Sequence, residues 1–216
     1  MKTDILQPFE RIPYFTIEGF KQVAEISKAE QARLLLHRWV KAGRIIPLKK
    51  GLYMTSGFYE QRRNDVFFSS AVSAIILPQS YLSLEYILQK NNILTEVTYP
   101  VTAITTKNTR RVNNPLGTFW YRNLRADLYH GFTISEYFGV RFAEAKLAKA
   151  LFDYLYLRPL SGVLRVAGFN LAEELRLNMD EVPEEARAEF RNQVEKSGVR
   201  KMELIYNNLM RNVWRH

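Results

Sequence analysis

SKAEQARLLLHRWVKAGRIIPLKKGLY, residues 27–53, changes its hydrophobic period once, at Gly43. Before that glycine, Ala32, Leu35, Leu36, Trp39 and Val40 fall at the i, i+3, i+4, i+7, i+8 spacing that lines one stripe of a helix. Ser27-Lys28-Ala29-Glu30 has the Ser-x-x-Glu form in which each end residue satisfies the other's backbone N–H, so the helix is expected to start at Ser27. Gly43 suits the left-handed residue that follows a helix C-terminus. Beyond it, residues 44–48 read as a short strand, Lys49-Lys50-Gly51 as a basic turn and residues 52–54 as the returning strand. Pro47 has no backbone N–H to offer a neighbour and favours a sheet edge.

Toward the N-terminus, FTIEGFKQV (residues 15–23) predicts a first helix capped by Thr16, with Ile17, Phe20 and Val23 on one face. Two closely spaced helices followed by a lysine-tipped hairpin are the order of a winged helix-turn-helix, in which the second helix enters the DNA major groove and the hairpin holds the flanking backbone. Opposite the apolar stripe, the second helix carries Glu30, Gln31, Leu34, His37, Arg38 and Lys41, with Arg33 at the border. Lys28 and Gln31 lie in its first turn and are candidates for base contact, since a Gln amide pairs bidentately with adenine. Arg33, Arg38, Arg44, Lys49 and Lys50 are candidates for phosphate contact. Leu34 either meets a thymine methyl group or packs on the second domain. A solvated helix surface is the plain alternative for any one of these side chains.

The charge distribution agrees with that placement. Residues 1–63 carry twelve Lys and Arg against six Asp and Glu, residues 64–160 ten against seven, and residues 161–216 nine against nine. A local basic surplus fits a polyanionic partner, although a solvated basic face is also common. The absence of cysteine excludes disulfides and thiolate metal sites and fits a reducing compartment, so a cytoplasmic protein is expected. No stretch has the form of a signal peptide or approaches the roughly 18 apolar residues of a membrane span. No membrane partner and no cofactor are expected.

FYEQRRN (residues 58–64) is a polar stretch that marks the join between an N-terminal domain, residues 1–63, and a larger one, residues 64–216. In the larger domain, residues 66–77, 83–91 and 142–156 read as helices, 97–106 and 117–122 as strands, and 171–176, 183–195 and 200–214 as closing helices. The expected fold class is α+β: a winged helix-turn-helix followed by a mixed α+β domain that ends in helices. Between the two strands, residues 107–111 form a basic loop. Lys107, Arg110 and Arg111 are candidates for a second nucleic-acid or antitoxin surface, because Arg pairs with phosphate and the neighbouring aromatics stack on bases. A solvated strand connection is the alternative.

Four segments in order carry a family likeness: Leu48-Lys49-Lys50-Gly51-Leu52-Tyr53, then Pro78-Gln79-Ser80-Tyr81-Leu82-Ser83-Leu84-Glu85, then ITTKNTRR (104–111) leading to GTFWYR (117–122), and Lys149-Ala150-Leu151-Phe152-Asp153. Over residues 15–158 the chain resembles the AbiEi-type antitoxins of abortive-infection, type IV toxin-antitoxin systems. The resemblance implies an autorepressor that binds operator DNA through its winged helix. It also implies a C-terminal domain that counters a nucleotidyltransferase-like toxin without a required stable complex. The chain departs from the family where Lys146, Leu147 and Ala148 stand in place of the frequent Ser or Thr, Pro and Glu. A solitary transcriptional regulator, and a protein- or RNA-binding module without operator binding, are the alternatives.

Catalysis finds little footing in the sequence. Glu144-Ala145-Lys146 has the Glu-x-Lys spacing of restriction-like nucleases, with Asp127 as a possible second Mg²⁺ carboxylate, but Glu144 reads as opening a helix, where an acid is favoured by the dipole in any case. His37, His130 and His216 are scattered, and neither a Gly-rich phosphate loop nor a Gly-x-Ser-x-Gly elbow occurs. The chain is therefore not expected to be an enzyme.

Overall fold

Three phenylalanines begin the N-terminal core. Phe9 of a 3-10 turn (Gln7–Arg11), Phe15 of β1 (Phe15–Thr16) and Phe20 of α1 (Ile17–Val23) converge, Phe9 and Phe15 with ring centroids 4.5 Å apart. α2 (Ala29–Lys41) adds the fully buried Ala32 and Leu36, and its Trp39 meets Phe20 edge-on at 5.3 Å. Burying side chains such as Phe20 and Leu36 contributes about 1.5–3 kcal/mol each. β2 (Ile45–Lys49) and β3 (Leu52–Thr55) complete the cluster through Ile45 and Tyr53. The three strands form an antiparallel sheet in the order β1-β3-β2, which puts Pro47 on an edge strand opposite Tyr53, with a register shift between Pro47 and Lys49. The computed structural model describes residues 5–95, 100–160, 162–166 and 168–214.

Thr55 caps α3 (Ser56–Arg62) by accepting the Phe58 N–H at 3.2 Å, and α4 (Phe68–Ile76) follows. Then come β4 (Ser80–Leu82), α5 (Glu85–Lys90), β5 (Val101–Thr105), β6 (Arg110–Asn114), β7 (Gly117–Asn123), β8 (Phe132–Tyr137) and β9 (Val140–Ala145). α6 (Leu147–Tyr156), α7 (Leu171–Glu174), α8 (Glu184–Ser197) and α9 (Arg200–Asn212) close the chain. The larger sheet has the order β6-β7-β5-β4-β9-β8, with β4 antiparallel to β5 and parallel to β9. The protein is thus α+β. Among the described residues, no helix is long and apolar enough to cross a membrane.

The chain divides into two compact units, residues 1–78 with 111–119 and 135–142, and residues 79–110 with 120–134 and 143–216. The expected join at 63/64 falls inside the first unit. There Phe58 packs edge-on against Phe138 at 5.4 Å, and Tyr137 Oη donates to Asp65 Oδ2 at 2.7 Å.

Several local expectations give way to the observed backbone. α2 starts at Ala29 with Lys28 as an extended N-cap that makes no side-chain cap bond, so the Ser27–Glu30 box does not set its start. The chain leaves α1 through Glu25 at φ 53, with Ile26 N–H returning to Lys21 O at 3.0 Å. Val23, expected inward, is 45% exposed. The helix expected over 142–156 is shorter: residues up to Ala145 belong to β9, folded back on β8 by Phe138 and Gly139 at φ 48 and 77. The basic loop is shorter too, because Arg110 and Arg111 open β6. Residues 97–99 of the expected strand lie outside the described residues, and the strand is seen as β5.

Candidate nucleic-acid interface

Thr16 Oγ1 accepts the Gly19 N–H at 3.0 Å and fixes the start of α1. At the far end of α2, Gly43 takes φ 68, its N–H reaches Val40 O at 3.1 Å, and Arg44 N–H reaches Trp39 O at 2.9 Å. This left-handed stop satisfies the last carbonyls and turns the chain directly into β2. α2 is therefore a short rod bounded on both sides, with Ala32 and Leu36 anchored in the core.

All seven residues expected to meet DNA are exposed: Lys28, Gln31, Arg33, Arg38, Arg44, Lys49 and Lys50. No acidic side chain among the described residues pairs with Lys28, Arg33, Arg38 or Lys50. Two of the seven are held. Arg44 lies over the Trp39 ring, 5.2 Å from its centroid, and Lys49 Nζ donates to Ile76 O at 2.6 Å. Leu34 stands 53% exposed. The hairpin turn is tied to α1 by Ile17 N–H on Gly51 O at 3.2 Å, and Leu48 O accepts Asn114 Nδ2 at 3.0 Å. Gly51 at φ 80 occupies a conformation in which a side chain would be strained.

Lys107, Arg110 and Arg111 are likewise exposed. Asn123 organises the short turn before β6, taking Thr109 Oγ1 on its N–H and donating Nδ2 to Lys107 O, both at 3.0 Å. Arg110 Nε donates to Asn108 O at 3.2 Å.

A charged cluster drawn from two of the family-like segments lies inside the second unit. Lys149 and Asp153, one turn apart on α6, are both buried, and Lys149 Nζ donates to Asp153 Oδ1 at 2.6 Å. Asp153 Oδ2 accepts Tyr81 Oη at 2.9 Å and Ser83 Oγ at 2.8 Å. The stem of Lys149 lies against Gly131, where an added Cβ would come within 3.1 Å of Lys149 Cγ. Burial raises the Asp153 carboxyl, while Lys149, Ser83 and Tyr81 pull it back down. Burial first, and Asp153 second, raise the Tyr81 hydroxyl. The i,i+4 Lys–Asp spacing is visible in the sequence, where both residues fall in the Lys149–Asp153 segment that carries the family likeness.

The nuclease-like residues do not assemble. Glu144 lies on β9 rather than opening a helix, and it pairs with Lys90 at 3.0 Å. Asp127 sits in a 3-10 turn with Arg125 at 2.9 Å, and Lys146 faces Glu189 at 3.6 Å. Among the described residues, no group of three His, Cys, Asp or Glu could hold a metal ion. His216 lies outside them.

No protein-family model matches the chain, and no curated protein matches it.

Proposed function

We propose that the protein is an operator-binding autorepressor and antitoxin of the AbiEi type. In this reading residues 15–55 form a winged helix-turn-helix: α2 enters the major groove, Lys28 and Gln31 touch base edges, Arg33, Arg38 and Arg44 meet phosphates, and the Lys49–Lys50 hairpin grips the adjacent backbone. The observation that carries it is the set of exposed cations on and beside α2 that have no acidic partner, on a rod whose other face is anchored in the core. Unpaired surface cations repel one another unless a polyanion is present, and the counterions it releases drive binding. The second unit counters a nucleotidyltransferase-like toxin, as the family resemblance implies, and the exposed Lys107, Arg110 and Arg111 are candidates for that surface.

Titration of fluorescent DNA from upstream of the protein's own reading frame tests the DNA half. Neutralising roughly four to six phosphates gives a log–log salt slope near −4 to −5. Arg33→Glu with Arg38→Glu abolishes the interaction at unchanged melting temperature. A flat salt response together with unchanged affinity in that variant rejects operator binding and favours a module for protein contacts. Co-expression with a nucleotidyltransferase-like product of the neighbouring frame tests the antitoxin half, and growth arrest despite the full-length protein rejects it.

A further inference from the structure

The second unit holds a cavity of about 300 Å³ lined by the end of β7, the start of α5 and the end of α6. That volume is at the lower end for small-molecule sites. Two guanidinium groups stand in its wall, each laid on a ring. Arg122 Cζ is 4.8 Å from the centroid of Trp120, and Arg158 Cζ is 4.3 Å from that of Tyr154. A ring beneath a guanidinium restrains it, and its planar fork of N–H donors suits two phosphate oxygens at once. Arg158 donates to Tyr154 Oη at 2.5 Å and lies 3.8 Å from Glu85, whereas no carboxylate among the described residues pairs with Arg122.

The backbone at the cavity's edge supplies a second, independent observation. Leu84 adopts φ 61 and ψ −141, a region that belongs almost wholly to glycine, and it does so as a buried leucine. Thr102 holds it there from both sides, donating Oγ1 to Ser83 O at 2.7 Å and accepting the Tyr86 N–H at 3.0 Å. The residue presented immediately after this strained link is Glu85, at the cavity wall. Backbone strain retained in this way is concentrated at sites that bind or switch.

We propose that this cavity binds a nucleoside 5′-phosphate. Arg122 and Arg158 take the phosphate, the half-buried Trp120 indole, which carries Arg122 over its ring and lines the cavity, meets the base, and the Glu85 carboxylate accepts ribose hydroxyls. The acid decides between ligand classes: a carboxylate 3.8 Å from Arg158 in the same cavity wall disfavours a bare anion and favours a ligand that brings hydroxyl donors with its charge. The source is either a free mononucleotide or the phosphorylated end of an RNA strand. This site is independent of the operator-binding reading.

Calorimetric titration of the full chain with AMP, GMP, CMP, UMP, inorganic phosphate and a 5′-phosphorylated RNA tetranucleotide tests the proposal. At least one mononucleotide or the tetranucleotide binds saturably, at least about tenfold tighter than inorganic phosphate, and Arg122→Gln weakens it by at least about tenfold at unchanged melting temperature. Trp120→Leu also weakens it, and neither substitution alters binding of upstream DNA by the α2 surface. Tighter binding of the tetranucleotide assigns the site to a strand end, and tighter binding of a mononucleotide assigns it to a free metabolite; both uphold it. The proposal is overturned by inorganic phosphate binding as tightly as every nucleotide, by unchanged affinity in Arg122→Gln, or by no saturable binding at millimolar concentration.

Discussion

Lys149 Nζ lies 2.6 Å from Asp153 Oδ1 with both side chains buried, and the second carboxylate oxygen is occupied by Tyr81 and Ser83. Three polar groups therefore depend on one carboxylate. Breaking a buried pair from one side leaves an uncompensated charge, so Asp153→Asn is expected to destabilise the protein by about 3–5 kcal/mol. Lys149→Met combined with Asp153→Leu regains only part of that, because the Tyr81 and Ser83 hydroxyls lose their acceptor. Urea unfolding measures both. A cost below about 1 kcal/mol for Asp153→Asn would show that the cluster is solvated in solution.

Lys50 and Lys49 are adjacent in sequence and unlike in structure. Lys50 is exposed and without an acidic partner, whereas Lys49 binds Ile76 O. Lys50→Glu is therefore expected to weaken DNA binding with no change in melting temperature. Lys49→Glu lowers stability as well, by about 1 kcal/mol for the lost hydrogen bond. Anisotropy titrations paired with thermal melts separate the two effects. Equal melting temperatures for both variants would contradict the tether.

Helix capping gives a test that needs no partner. Thr16→Ala removes the bond to Gly19 N–H and should cost about 1 kcal/mol. Ser27→Ala should be nearly neutral, since Lys28, not Ser27, is the N-cap of α2. Chemical denaturation of the two variants side by side checks the expectation, and a larger loss for Ser27→Ala would reinstate the capping box.

His130 sets a pH response. Desolvation, then the charges of Lys149 and Lys196, hold its pKa below the ordinary 6.5, with Asp127 opposing. The folded protein therefore binds fewer protons at this site than the unfolded chain. The stability contributed is fully present above about pH 6.5 and is lost as pH falls through the lower folded value. Melting temperatures between about pH 7 and about pH 5 should decline less steeply in His130→Gln than in the parent. Parallel profiles would assign the acid sensitivity to other groups.

How far the sequence reaches depends on the range of the forces involved. The α2 stripe, the Gly43 stop and the edge position of Pro47 follow from neighbours within a few residues, and all three are seen. The β8–β9 hairpin does not. Its outer face is largely exposed, so it lacks an apolar alternation, and Phe142 fits the helical spacing that leads into α6. Phe138-Gly139 was the available signal: both residues take positive φ, and the glycine marks the turn. β4 is three residues long and exists through its partners on both sides. Lys149 and Asp153 were illegible for a related reason. Every residue from Ala148 to Leu155 is buried, so periodicity cannot single out an interior ion pair. Exposure of the polar and basic side chains of α2 is readable from the helix projection, whereas the capture of Lys49 by a carbonyl 27 residues away is not.

Pro47 has a consequence for how copies of the chain meet. β2 is a free margin of its sheet, yet it carries a proline that offers no N–H, a bulge at Pro47/Lys49 and a terminal lysine. Each of these discourages a foreign strand from zipping onto it. Under the operator-binding proposal, two neighbouring molecules on DNA would thus be unable to fuse their hairpins into a continuous ribbon, and Lys49 and Lys50 at the tip stay exposed.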